Sequence, residues 1–318
     1  MAHCIGEWDT TMVFDRNICH IPAGTLVEEK ALRSKGDLII SDRCSFARNV
    51  ITEGRIFIGE YAEIDGDLIS IGDIRVDKGT KVNGNITGDN DVYIGERCAI
   101  AGELVVGSNM EIGDDVQIDP KSIDSKGRVN IRNPISVLIY ILLYLLDLIR
   151  RGDEQGVEEF LKDLESGTEE DLLISKEFTY FPRGSRILKD QIWVPGDLSI
   201  GPNCHIVGNL ETSGGLDIEK ETQVFGDMSA KGDIYIGEDT VINGNVSSHQ
   251  DVTIHHAARI VGNITGRSVT TTSDTIIEGT LKGDEGIRIV PDSETQLTDD
   301  GHVRERLQGL GDLLEQTR

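Results

Sequence analysis

The stretch Val92-Tyr93-Ile94-Gly95-Glu96-Arg97-Cys98-Ala99-Ile100-Ala101-Gly102-Glu103-Leu104-Val105-Val106-Gly107-Ser108-Asn109-Met110-Glu111-Ile112 holds the pattern on which most of the chain is built. An apolar triplet, Val92-Tyr93-Ile94, returns as Met110-Glu111-Ile112 after a step of 18 residues. Between them, Ile100-Ala101-Gly102-Glu103-Leu104 places glycine and an acidic or amide residue between two apolar positions. Further out, triplets beginning at Leu38, Ile56 and Ile74 keep the same 18-residue step, and Leu198, Leu216, Ile234 and Val252 begin a second ladder with that spacing. The glycine motif recurs at Ile64 to Leu68 and Val82 to Ile86, then at Ile206 to Leu210, Val224 to Met228, Ile242 to Val246 and Ile260 to Ile264.

Short alternating apolar runs form strands whose residues i and i+2 face inward. One such coil cannot bury its apolar face alone, so a strict period means coils stacked on one another. Glycine followed by Asp or Asn is expected to supply positive-φ corners. Each coil is thus expected to contain three short strands and three corners, a triangular β-helix with coils about 4.8 Å apart. The fold class expected is mainly β: two triangular β-helix (solenoid) domains with 18-residue coils, separated by an α-helical insert. The boundaries expected are an N-terminal arm at 1–34, a first β-helix at 35–132, a helical insert and linker at 133–185, a second β-helix at 186–292 and a C-terminal tail or helix at 293–318. Near the end, Thr275-Ile276-Ile277-Glu278-Gly279-Thr280-Leu281 arrives one residue early, as a deletion at a corner would produce.

The insert differs in kind. Ile135 to Ile149 is almost continuously apolar, and Asn133 with Pro134 reads as a helix start. Fifteen residues make a helix about 22 Å long, short of a ~30 Å hydrocarbon core, so a simple transmembrane span is disfavoured. Val137, Leu138, Ile141, Leu142 and Leu145 are the candidates for membrane-surface or inter-domain packing. Val157, Phe160, Leu161 and Leu164 then line one face of an acidic second helix, and Val303, Leu307, Leu310 and Leu314 repeat that spacing in the tail.

The 318 residues carry 56 Asp and Glu against 31 Lys and Arg, a formal net charge of -25. So acidic a surface repels phosphates, which excludes nucleic acid as an expected partner. With 36 glycines and 5% aromatic residues, the composition suits a narrow solenoid better than a globular α/β enzyme. Cys44, Cys98 and Cys204 share one ladder slot with Ala62, Thr80, Val116, Thr222, Thr240 and Ala258, which reads as a position for small core side chains. No signal peptide is legible in Met1 to Ala23, so a reduced, cytoplasmic setting is expected.

Chemistry is sparse. His3, Cys4, Cys19 and His20 match no compact zinc spacing, and adjacent His255 and His256 in a strand would point to opposite faces. Asn85, Asn245 and Asn263 head formal glycosylation sequons, yet all occupy one corner where Asn serves turn geometry. Left-handed β-helix acyltransferases also use 18-residue coils, and Ile94, Ile100, Val106, Ile112 and Ile118 follow their six-residue spacing. Ser70 and Gly88 break it, and His205 is the sole candidate base, with no partner motif beside it. No catalytic, cofactor, nucleotide or metal site is expected.

Gly232-Asp233-Ile234-Tyr235-Ile236-Gly237 with Ile242-Asn243-Gly244-Asn245-Val246 resembles the bactofilins, the polymer-forming cytoskeletal proteins. Asp91 to Gly95 with Ile100 to Leu104, and Gly196 to Gly201 with Gly208 to Leu210, show the same likeness, which spans both ladders. The resemblance implies a right-handed β-helix that polymerises end to end without nucleotide, often at the membrane, to maintain cell shape. Two β-helices and a hydrophobic insert depart from the usual single β-helix with short tails. The function expected is a non-enzymatic scaffold, self-assembling or joining a related bactofilin-like protein; the alternative is a regulator of another β-helix filament. The end-contact candidates are Leu38, Ile40, Val129 and Ile131 in the first ladder and Ile287 and Ile289 in the second. Charging one end, as in Ile40→Lys, is expected to abolish filaments.

Overall fold

A computed structural model describes residues 16–131 and 178–291. These form a β-solenoid of about 12 turns, and the one helical element among the described residues is the 3-10 turn Pro120–Ser122. In the first half, three columns of strands stack in parallel register. One column contains Asp37–Ile40, Ile56–Ile58, Ile74–Val76, Val92–Ile94, Met110–Ile112 and Val129–Ile131. The second begins at Ser45–Phe46 and the third at Ala31–Ser34. The second half repeats this arrangement from Gln191–Val194, Asp197–Ile200 and His205–Val207.

The 18-residue rise places Leu38 over Ile56 and Ile74 over Val92, so identical inward positions superimpose from coil to coil. Stacked strands then exchange backbone hydrogen bonds with the coils above and below, while the aliphatic side chains fill a single core running through both halves. The slipped spacing is present: Val252 pairs with Val269 and Ile260 with Ile277, each a 17-residue step.

The corners differ from expectation. Of the motif glycines only Gly208 and Gly226 have the expected positive φ, while Gly66, Gly84, Gly102, Gly244 and Gly262 lie outside that region; the left-handed corners fall mainly on a stacked column of Arg43, Tyr61, Gly79, Arg97 and Asp115, and on Asn203, Glu221, Asp239 and Ala257. The motif glycines answer a different need. A Cβ at Gly84 would sit 2.3 Å from the carbonyl oxygen of Gly66 one coil below, and one at Gly102 equally close to that of Gly84. The Asp or Asn that follows forms a ladder: Asn49 Oδ1 accepts from Asp67 N, Asp67 Oδ1 from Asn85 N, and Asn85 Oδ1 from Glu103 N. Asn209, Asp227, Asn245 and Asn263 do the same in the second half. The sequon asparagines are rungs of this ladder.

Within the expected 1–34 arm strands are present from Ile18 onward, and those of the second half begin at Phe178, earlier than the expected 186. The reason is a joint. Ile18–Ile21 lies in parallel register on Asp197–Ile200 of the other half, and Phe178–Phe181 lies likewise on Asp37–Ile40. The two crossing strands meet antiparallel at His20 and Tyr180. Leu26–Val27 stacks on His205–Val207 and turns back antiparallel onto Ala31–Ser34 of its own half; Arg186–Ile187 stacks on Ser45–Phe46 and turns back onto Gln191–Val194. Around the joint, residues of the first half thus have counterparts 160 residues later: Pro22 and Pro182, Gly24 and Gly184, Asp37 and Asp197, Cys44 and Cys204. The halves meet head to head about a pseudo-dyad, each covering the other's first coil. Three antiparallel seams reverse strand direction at the middle, so both free ends of the solenoid are C-terminal coils.

Candidate functional site at the solenoid poles

A solenoid's chemistry concentrates where stacking stops, because the last strand has one unpaired edge and an inward column with no cover. At the first pole the final coil is lengthened: Met110 pairs with Val129 and Leu104 with Ile123, each a 19-residue step. The extra residue is absorbed around Pro120–Ser122, where Asp119 caps the turn by accepting from Lys121 N at 3.0 Å. Val129 continues the inward column above buried Met110 but is 46% exposed. Ile131 follows in register over Ile112. Among the described residues no strand pairs with the outer edge of Val129–Ile131.

At the second pole, Leu281–Val290 pairs with Ile264–Thr272 and with no other described strand. Ile287 stands over fully buried Val269, and Ile289 over buried Thr271. Both occupy core register, yet they are 47% and 64% exposed. Of the residues expected at ends, Val129, Ile131, Ile287 and Ile289 therefore belong to terminal coils. Leu38 and Ile40 do not: both are 0% exposed, paired beneath Thr179 and Phe181 at the joint. Ile40→Lys would place a charge in the core instead of testing an end. Val137, Leu138, Ile141, Leu142 and Leu145, with the helix start at Asn133 and the amphipathic stretches, lie outside the described residues.

The joint is where sequence reasoning was blind. Phe181 meets Phe46 edge to face with ring centroids 4.9 Å apart, and the Ser34 and Thr179 hydroxyls bond at 3.0 Å inside the core. Cys44 Sγ donates to Pro182 O and Cys204 Sγ to Pro22 O, both at 3.2 Å, a reciprocal pair across the pseudo-dyad. The signal that could have found it was the set of equivalences spaced by 160, which is not a multiple of 18.

The small-residue slot holds as expected, with one refinement. Its Thr and Cys members donate to a carbonyl below: Thr80 to Gly59 O at 2.8 Å, Cys98 to Asp77 O at 3.1 Å, Thr222 to Gly201 O at 3.0 Å. Burial pushes the Cys44 and Cys204 thiols up to about 11, so both stay protonated. Cys19 faces the core while neighbouring His20 faces outward against Phe178, so the two cannot share an ion. His255 and His256 lie at a corner beyond Val252–Ile254 instead of within a strand: His255 packs on Tyr235, and His256 Nδ1 pairs with Asp274 at 2.5 Å. His205 faces outward against the Phe225 ring at 4.9 Å. Among the described residues no group of three or more His, Cys, Asp or Glu is placed to hold a metal ion, and no helix is long and apolar enough to cross a membrane.

One outward carboxyl is unusual. Asp217, between Ser199 and Tyr235 in the stack, is raised to about 6, chiefly by burial and then by the charge of Glu219. An open groove of about 250 Å³ lies near the first pole, lined by Asp91, Tyr93, Asn109, Glu111 and Arg128. Its Asp91 is held below the ordinary carboxylate range, mainly because it accepts from Asn109 N. No family model, curated protein or solved structure matches the chain.

Proposed function

We propose that this chain is a non-enzymatic scaffold that assembles end to end through its two solenoid poles, in the manner of the bactofilins that its motifs resemble. The observation that carries the reading is the pair of terminal coils that no described strand covers, where Val129, Ile287 and Ile289 occupy core register while partly exposed. Completing the burial of a half-exposed Val or Ile side chain stabilises by about 1 kcal/mol, and pairing the free strand edges adds backbone hydrogen bonds. Charge sets the poles apart only slightly. Over residues 113–131, the last coil of the first half, Asp114, Asp115, Asp119 and Asp124 outnumber Lys121, Lys126 and Arg128 by one. Over residues 274–291, at the end of the second, Asp274, Glu278, Asp284 and Glu285 outnumber Lys282 and Arg288.

The finer parts of the reading belong to the proposal: right-handed coils, two domains with a helical insert, a cytoplasmic setting and a role in cell shape. So does contact with a membrane surface through the apolar residues 135–149. Equal flotation with lipid vesicles after deletion of 135–149 would exclude that segment as the anchor. Negative-stain microscopy of the pure protein without nucleotide tests the central point. Filaments are expected, and Ile289→Lys should leave discrete particles with unchanged β-rich circular dichroism. Discrete particles from the unaltered chain would favour the alternative role, regulator of another β-helix filament.

A further inference from the structure

The pseudo-dyad at the joint is broken at one position. Arg48 is 0% exposed, at the corner between Ser45–Phe46 and Asn49–Thr52. Its counterpart 160 residues later is Gly208, whose φ is +125°. The two positions contend for the same space: a Cβ at Gly208 would sit 2.8 Å from Arg48 Nη2.

Arg48 is satisfied by carbonyls drawn from both halves. Nη1 donates to Glu28 O at 2.8 Å, Nε to Leu188 O at 2.7 Å and Nη2 to Lys189 O at 3.0 Å. Glu28 and Leu188 are themselves dyad counterparts, so the guanidinium sits astride the axis and takes one carbonyl together with its image. Among the described residues no carboxylate lies within ion-pair distance of it; Asp190 and Glu29 act on its charge from further away, opposing the downward push of burial.

We infer that Arg48 is the key that makes the head-to-head joint an unlike-pair interface, so that a first-half head mates only with a head carrying glycine at the equivalent position. Two first-half heads would bring two guanidinium groups to one axis, competing for the same Glu28 carbonyl and its image. Two second-half heads would leave the arginine's volume empty and the carbonyls of Leu188 and Lys189 without a donor. Burying an uncompensated charge, or a polar group with no partner, is costly enough to reject both like pairs. A second copy of this chain can then enter the joint in one way, by exchanging its second half for the first copy's own. The inference does not depend on what happens at the poles.

A double-mutant cycle on the full chain tests it, using Gly208→Arg, Arg48→Gly and the two together, with the urea midpoint followed by circular dichroism. The positive φ at position 208 penalises arginine there in either background, so that cost cancels in the cycle. With Arg48 present, Gly208→Arg places two arginines on the axis and is expected to lower the midpoint at least twice as far as in the Arg48→Gly background. Failure to fold only when both arginines are present is the same result in stronger form. Equal shifts in the two backgrounds, or failure of Gly208→Arg to fold in both, would reduce Arg48 to a local hydrogen-bond donor and overturn the inference.

Discussion

At Gly84 the missing side chain is a steric demand imposed from the next coil, because the carbonyl of Gly66 lies where a Cβ would be. Gly84→Ala should therefore destabilise by about 3 kcal/mol, the upper end for overpacking, since backbone yields less than a side chain; thermal unfolding measures it. The carboxyl of Asp217 works in the opposite sense. Raised to about 6 by burial and Glu219, it binds a proton in the folded chain over a range where the unfolded chain, titrating near ~3.9, has released it. Stability contributed at this site rises as pH falls from about 7 toward 4, and the buried charge is a cost above 6. Asp217→Asn should stabilise the fold at pH 7.5 by about 1–2 kcal/mol, discounted for partial exposure. It should also flatten the pH dependence of the urea midpoint between 5 and 7. A wild-type slope retained in the variant would assign it to other groups. At this scale, the small slot of Cys44, Thr80 and Cys98 was legible from the 18-residue spacing of small side chains. The reason for the glycines was not: a sequence shows a glycine but neither its φ nor its neighbour across the coil.

Apart from Ile264–Thr272 and Leu281–Val290, the strands have two to four residues and no stability of their own, so each is defined by the strands it stacks on. That explains why the triplets at 38, 56, 74, 92 and 110 announced themselves and the heads did not. Ile56–Ile58 has like partners 18 residues away on both sides, whereas Phe178–Phe181 pairs with Asp37–Ile40 and Ile18–Ile21 with Asp197–Ile200. No local period encodes such a pairing. A corollary distinguishes joint from pole. Phe181, fully buried against Phe46, should cost about 3–5 kcal/mol when cut to Ala, while half-exposed Val129→Ala should cost under about 1 kcal/mol in the unassembled chain. Denaturant titration of the two variants at a concentration too low for assembly compares them; equal losses would mean that the joint is no better covered than the end.

On the scale of the whole molecule, two opposing effects act at different ranges. The net charge of -25 repels a second copy from afar, while the half-exposed apolar side chains at the poles attract only near contact. Raising salt from about 0.01 M to 0.15 M shortens the screening length from about 30 to 8 Å, so repulsion is lost before the contact is. Light scattering should accordingly show assembly increasing over that range, and a decrease would place the dominant attraction in long-range charge instead. The period foretold the solenoid and its terminal coils, but the reversal of direction at its centre came from the joint. That reversal decides which residues are ends: Val129, Ile287 and Ile289 remain, while Leu38 and Ile40 are enclosed. The most direct test is the axial repeat of filaments decorated with one bulky label per chain. The solenoid's turns, about 12 in number and stacked at about 4.8 Å, give a repeat of about 58 Å when both halves form one rod joined head to head and contact the next chain only at the poles. A label spacing near half that value, or labels with no regular spacing, would contradict the account.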